Sequence, residues 1–245
     1  MVEIDMRGCS QNSDLWAGNV KYHELQEDLK HRQEYLDRLY QKNRTWYWRG
    51  KRCFDVVFSL AALMLLAPVY LLIGAYIWLV DPHGGPIYKQ VRMGRHAEPF
   101  TVYKFRTMVV NADEMLEDLR DRNEMDGPVF KIKDDPRIIR GGHFLRRTGL
   151  DELPQFWNVL KGDMTVVGPR PPLPGEVEHY TEFDKLRLMV TPGLTCEWQI
   201  QPRRNELSFD EWVDLDIAYI CDRTFRGDMK IILATVKAML RRDGR

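Results

Sequence analysis

The sequence predicts a mostly α, α/β fold: a re-entrant helical hairpin set into a membrane, then one compact domain with a small β-hairpin or sheet and amphipathic interfacial helices. Three observations predict it. The run from Val56 to Val80 has no charged side chain and is flanked by basic residues; two short β-branched and aromatic stretches follow it; and helical patterns recur near Val177 to Val190, Ser208 to Tyr219 and Met229 to Leu240. A chain of 245 residues can form one full core. The expected boundaries are 1–49 for a polar extension, 50–83 for the hairpin with its basic and aromatic flank, and 84–245 for the compact domain.

In the extension, Tyr22 to Tyr40 sets Leu25, Leu29, Leu36 and Leu39 among charges, the pattern of an amphipathic helix that is either solvated or binds a partner. Glu3 and Asp5 and the lack of an early apolar run argue against a cleaved secretory signal. Trp46-Tyr47-Trp48-Arg49-Gly50-Lys51-Arg52 then mixes aromatic and cationic residues suited to a water–lipid boundary.

At about 1.5 Å per residue, Val56 to Val80 could cross a hydrocarbon core. Pro68 removes a helix hydrogen bond near its middle and should kink it. Lys51 and Arg52 precede the run and Lys89, Arg92 and Arg95 follow it, which favours both ends on one side. A re-entrant hairpin satisfies that pattern; a kinked single span and a buried core helix are the competing readings.

Ile87 to Val91 and Phe100 to Phe105 read as strands. Asn111 with Glu114 resembles a capping box opening a helix to Asn123, with Gly127-Pro128 beyond. The pattern of Met229 to Leu240 fits either docking on the core or resting on an anionic surface.

Composition excludes several chemistries. Lys+Arg and Asp+Glu balance at 36 each, so bulk charge gives no reason to expect nucleic acid. Cys9, Cys53, Cys196 and Cys221 form no C-x-x-C pair, the six histidines are scattered, and no phosphate-binding P-loop, H-E-x-x-H or G-x-S-x-G motif occurs.

The informative stretch is Phe144 to Gly162. Pro154 is tolerated only in a first helical turn, so a helix should begin near Asp151 and stop at Gly162, burying Leu153, Phe156, Trp157 and Leu160. Asp151 and Glu152 then sit at the helix mouth, where ionised carboxylates are favoured and both should be charged at neutral pH. One could face a reacting phosphorus while the other holds a cation; an N-cap and a first-turn acid would look the same. Arg146 and Arg147 precede this helix, and Arg170 lies between two prolines, where a guanidinium suits phosphate oxygens.

Read together, Lys51-Arg52-Cys53-Phe54-Asp55, Tyr103-Lys104-Phe105-Arg106-Thr107-Met108, Asp135-Pro136-Arg137-Ile138, Leu150-Asp151-Glu152-Leu153-Pro154-Gln155 and Lys161-Gly162-Asp163-Met164 running into Val167-Gly168-Pro169-Arg170-Pro171 resemble the bacterial sugar transferase family of monotopic phosphoglycosyl transferases over about residues 50–242. The resemblance implies transfer of a sugar phosphate from a UDP-sugar to polyprenyl (undecaprenyl) phosphate, with UMP released, to start a polysaccharide or glycoconjugate. It implies Asp151 as nucleophile, Glu152 as a Mg²⁺ ligand, and Lys104, Arg146, Arg170 and Gln155 around the phosphates. It further implies the inner bacterial membrane, contact with inner-leaflet lipids and a catalytic domain facing the cytoplasm.

The family's hairpin bends at Ser-Pro where this chain has Ala67-Pro68, and Pro192 to Trp198 and Gln201 to Asn205 depart from the common pattern. In place of the four-helix membrane domain of some relatives, the polar extension would serve self-association as a homodimer or recruit a partner. A catalytically inactive scaffold of a glycan-assembly complex is the alternative function, against which the intact Asp151-Glu152 pair argues. A single-span receptor is the third.

Overall fold

The computed structural model describes residues 45–240 apart from 113, 116–118, 120–131, 133, 134, 203 and 205. The expected Tyr22–Tyr40 helix, most of the Asn111–Asn123 helix and the Gly127-Pro128 turn lie outside those residues. Contacts divide the chain into Met1–Asn43 and Arg44–Arg245, and the elements below belong to the second unit.

Helix α1 (Thr45–Leu65) and helix α2 (Ala67–Val80) meet at a 60° bend. Pro68 lies in the first turn of α2, where its missing N–H costs least, so the break falls at Leu66. No single helix among the described residues is long and apolar enough to cross a membrane, although the bent pair passes by length and composition together. Val57, Leu60, Met64, Leu71, Leu72 and Leu79 are exposed on the pair.

The charged residues at its base do not act as free flanks. Lys51 is buried and pairs with Asp228 at 2.9 Å. Arg52 donates to the carbonyls of Val159 at 2.6 Å and Leu160 at 2.7 Å, and Asp55 accepts from the Thr165 hydroxyl and the Val166 N–H. The basic motif before the apolar run therefore fastens α1 to the rest of the fold.

Strands β1 (Ile87–Met93) and β2 (Pro99–Phe105) form the expected antiparallel hairpin, with Tyr88 opposite Lys104, Gln90 opposite Val102 and Arg92 opposite Phe100. Helix α3 (Gly142–Thr148) ends at Gly149, whose φ of 69° turns the chain left-handed. A short 3₁₀ turn, Leu150–Glu152, then leads to helix α4 (Gln155–Lys161).

The continuous helix expected from Asp151 to Gly162 is thus split. Pro154 has no N–H to give to the Leu150 carbonyl, and the Leu153 N–H takes that carbonyl instead at 3.4 Å. The buried stripe differs too: Leu153 and Phe156 are buried, Leu160 is half-buried, Trp157 is 50% exposed, and Val159 and Asn158 are fully buried. Asn158 bonds the edge of β2 like a paired strand, accepting from the Tyr103 N–H and donating to the Thr101 carbonyl.

Strand β3 (Thr165–Val167) runs parallel to β4 (Gly193–Thr195). The loop after β3 leads to α5 (Pro174–Val177), and residues 184–189 form a 3₁₀ helix. The longer helix expected over Val177 to Val190 is instead broken in two: α5 ends at Val177, and Thr181 and Asp184, each bonding the other's backbone N–H, cap the start of the separate 3₁₀ helix. Helix α6 (Phe209–Asp222) opens with a Ser208–Glu211 capping box, and α7 (Phe225–Leu240) buries Ile231 while exposing Leu233 and Val236. Among the described residues the fold is mostly helical with two small sheets.

Candidate active site

Four sequence-predicted residues, Lys104, Glu152, Gln155 and Arg170, line one open pocket. Arg92, Val102, Pro171, Gly193, Leu194 and Gln199 complete its wall. Each element delivers its residue for a local reason. Strand alternation puts Lys104 and Val102 on one face of β2, and the hairpin register puts Arg92 on that same face. Asn158 clamps α4 to β2, so Gln155 at the helix start faces Lys104's strand.

Arg170 reaches the pocket because its loop is tied at both ends. The Gly193 N–H donates to the Pro169 carbonyl at 2.8 Å, and the Gly168 N–H donates to the Thr195 carbonyl at 2.9 Å. Farther along, the Met93 N–H and the Arg92 guanidinium donate to the carbonyls of Pro172 and Pro171. The two strands and the proline-rich loop thereby form one rigid wall carrying Arg92, Lys104 and Arg170.

Asp151 is buried, whereas its neighbour Glu152 is about one-third exposed, so the two carboxylates face different surroundings. Glu152 Oε1 accepts from Lys104 Nζ at 3.2 Å. Burial pushes the Glu152 carboxyl up, but Lys104 and Arg170 outweigh it and hold the group below its ordinary value. For Asp151, burial first and the Glu152 charge second push the carboxyl up to about 7, and Lys104 and Arg146 offset this only in part. Glu152 is therefore favoured as the ionised acid, in line with the expected charge, while burial and the Glu152 charge work against full ionisation of Asp151 at neutral pH. A single 3₁₀ turn offers too little helix dipole to offset the burial of Asp151.

Arg146 stands apart from the pocket lining. Its Nε donates to the Thr107 hydroxyl at 3.1 Å, and its charge acts on Asp151 and Asp135. It supports the Asp151 side of the turn, while Lys104 and Arg170 serve the Glu152 side.

Arg92 and Gln199 are the site residues that sequence reasoning missed. In the sequence Arg92 reads as part of the basic flank of the apolar run; the β1–β2 register shows that it shares a face with Lys104. Burial and the nearby Arg170 disfavour its charge, so an anion in the pocket would be bound by cations already held close together. Such an arrangement can bind a diphosphate and set a carboxylate beside it.

A family model described as bacterial sugar transferase matches residues 46–242. The chain is 44% identical over 192 residues to a galactosyl transferase, CpsE, of Streptococcus agalactiae, covering 78% of this chain and 42% of that protein. It is 44% identical over 203 residues to an undecaprenyl-phosphate galactose phosphotransferase of Salmonella typhimurium, covering 79% and 41%. With the exopolysaccharide production protein ExoY of Rhizobium meliloti it shares 38% identity over 194 residues, covering 78% and 85%. The chain thus spans about two-fifths of the length of the first two relatives and most of the third.

Proposed function

The chain belongs to the bacterial sugar transferase family, and from that premise we propose that it is an undecaprenyl-phosphate sugar phosphotransferase. It moves a sugar-1-phosphate from a UDP-sugar to polyprenyl phosphate and releases UMP. The observation that carries this reading is the pocket in which Arg92, Lys104 and Arg170 converge beside Glu152, with buried Asp151 next to it in the chain. Relatives named for galactose phosphotransfer and for glucose-1-phosphate transfer to undecaprenyl phosphate support the acceptor and favour a hexose donor.

In the proposed reaction the cations hold the diphosphate and spread its charge. A carboxylate oxygen of Asp151 attacks the β-phosphorus, and the bond from that phosphorus to the bridging oxygen breaks. UMP leaves with the electron pair, and the sugar phosphate stays on Asp151 as a mixed anhydride. An oxygen of polyprenyl phosphate then attacks the same phosphorus and displaces the carboxylate, giving the polyprenyl diphosphate sugar and free Asp151. Burial makes Asp151 more basic than an ordinary aspartate and so a stronger nucleophile once ionised.

Glu152 fits a Mg²⁺ ligand, because it is held ionised, partly exposed and beside the phosphate pocket. Among the described residues no group of three or more His, Cys, Asp or Glu could hold a metal, so Glu152 would be the protein's ligand to an ion brought in with the diphosphate. When bound, Mg²⁺ supplies positive charge to the diphosphate. The bent α1–α2 pair, with its exposed apolar side chains, is the proposed re-entrant element of the inner bacterial membrane, the site facing the cytoplasm.

The test is UMP release by detergent-solubilised protein given polyprenyl phosphate, Mg²⁺ and a panel of UDP-sugars. Release with one or a few sugars, lost in Asp151→Asn and Glu152→Gln, supports the reading. No release from folded protein with any sugar contradicts it and favours the scaffold.

A further inference from the structure

The geometry points to Tyr70 as a positioning residue that pins the turn carrying Asp151 and Glu152 to the apolar helix pair, a role that rests on the transferase reading for its effect on rate. Tyr70 lies in α2, just beyond the bend, and its hydroxyl donates to the Leu153 carbonyl at 2.6 Å across 83 residues of sequence. The Tyr70 ring also packs on Phe105, with centroids 5.7 Å apart, and Phe105 adjoins Lys104. One side chain therefore touches both the turn that bears the carboxylates and the strand that bears the lysine.

The turn needs an outside support. It is three residues long, and of the two backbone bonds that close it, the Glu152 N–H to the Gly149 carbonyl is 3.1 Å while the Leu153 N–H to the Leu150 carbonyl is stretched to 3.4 Å. Pro154 can add no N–H. The Tyr70 hydroxyl fixes the carbonyl at the end of the turn, two residues after the proposed nucleophile. Tyr70 does not line the pocket, so it affects where Asp151 sits rather than how the diphosphate is held.

The experiment compares wild type, Tyr70→Phe and Tyr76→Phe. Tyr76 lies on the same helix and donates to the Arg140 carbonyl at 3.0 Å, so it controls for loss of any hydroxyl from α2. Phenylalanine keeps the packing on Phe105, which protects the fold. Two quantities are read: kcat and donor KM for UMP release, and hydrogen exchange of the backbone amides in residues 149–156. Tyr70→Phe should lower kcat roughly 5- to 10-fold, the rate equivalent of one hydrogen bond, with donor KM within about twofold of wild type. It should also speed exchange at the turn, and Tyr76→Phe should do neither. An unchanged kcat or unchanged exchange in Tyr70→Phe overturns the assignment. Should the wild-type protein turn over no donor, the transferase reading fails, while exchange at the turn still decides whether Tyr70 holds it.

Discussion

Lys104 Nζ donates to Glu152 Oε1 at 3.2 Å, so the carboxylate beside the proposed nucleophile carries a counter-charge before any substrate arrives. Three groups are thereby linked. Lys104 helps keep Glu152 ionised, and the Glu152 charge adds to burial in pushing Asp151 up. Removing any one of them changes the charge state available to the other two.

Lys104→Met should lower kcat/KM for UMP release by about 10²-fold, the scale expected when a preorganised cation is lost from a phosphoryl-transfer site. Lys104→Arg should recover part of the loss, because the charge returns on a differently shaped group. Initial rates across donor concentrations check both, and a Lys104→Met enzyme at wild-type efficiency would contradict the placement of Lys104.

Gly193→Ala should abolish activity and lower the melting temperature. A Cβ at Gly193 would fall on the backbone of Gly168, just after β3, where that chain passes β4 too closely for a side chain at position 193. The loop bearing Arg170 would have to move. Thermal unfolding and UMP release on the same preparation test this, and full activity would contradict the close approach.

Much of this site was legible because its residues fall in short, strongly marked segments. Pro68 marks the bend, β-branched and aromatic content marks β2, and the helical pattern from Ser208 to Tyr219 marks α6. What escaped depends on partners distant in sequence or on competing local bonds. Arg92 joins Lys104 through strand register, and Lys51 and Arg52 turn inward because Asp228 and the α4 carbonyls receive them. The split at Pro154 follows from a missing N–H, and the new start at Thr181–Asp184 from a local cap, neither of which hydrophobic periodicity reports.

Arg52→Ala should destabilise the fold by about 1–3 kcal/mol, since two hydrogen bonds from a charged donor to carbonyls at the end of α4 are lost. Arg52→Lys should restore less than half, because one ammonium does not reproduce the fork. Denaturant unfolding in a fixed detergent provides the measurement.

Asp135 supplies the pH prediction. Its carboxylate accepts from Arg137 at 2.9 and 2.6 Å; burial raises its pKa, but these bonds outweigh burial and hold it below the ordinary 3.8. A depressed folded value means that the pair stabilises the protein above the unfolded pKa of about 3.9 and loses that contribution as pH falls through the folded value. Asp135→Asn should therefore melt below wild type at pH 7, with the gap beginning to close as the pH falls below about 3.9. A gap independent of pH would contradict the linkage.

The most direct test of the central claim is intact-protein and peptide mass spectrometry after the protein is mixed with Mg²⁺ and its UDP-sugar in the absence of polyprenyl phosphate. The account predicts a mass increase of one hexose phosphate on the peptide containing Asp151, absent in Asp151→Asn and discharged when polyprenyl phosphate is added. UMP release that requires polyprenyl phosphate from the outset, with no adduct trapped on Asp151, would contradict it and favour direct transfer between the two substrates.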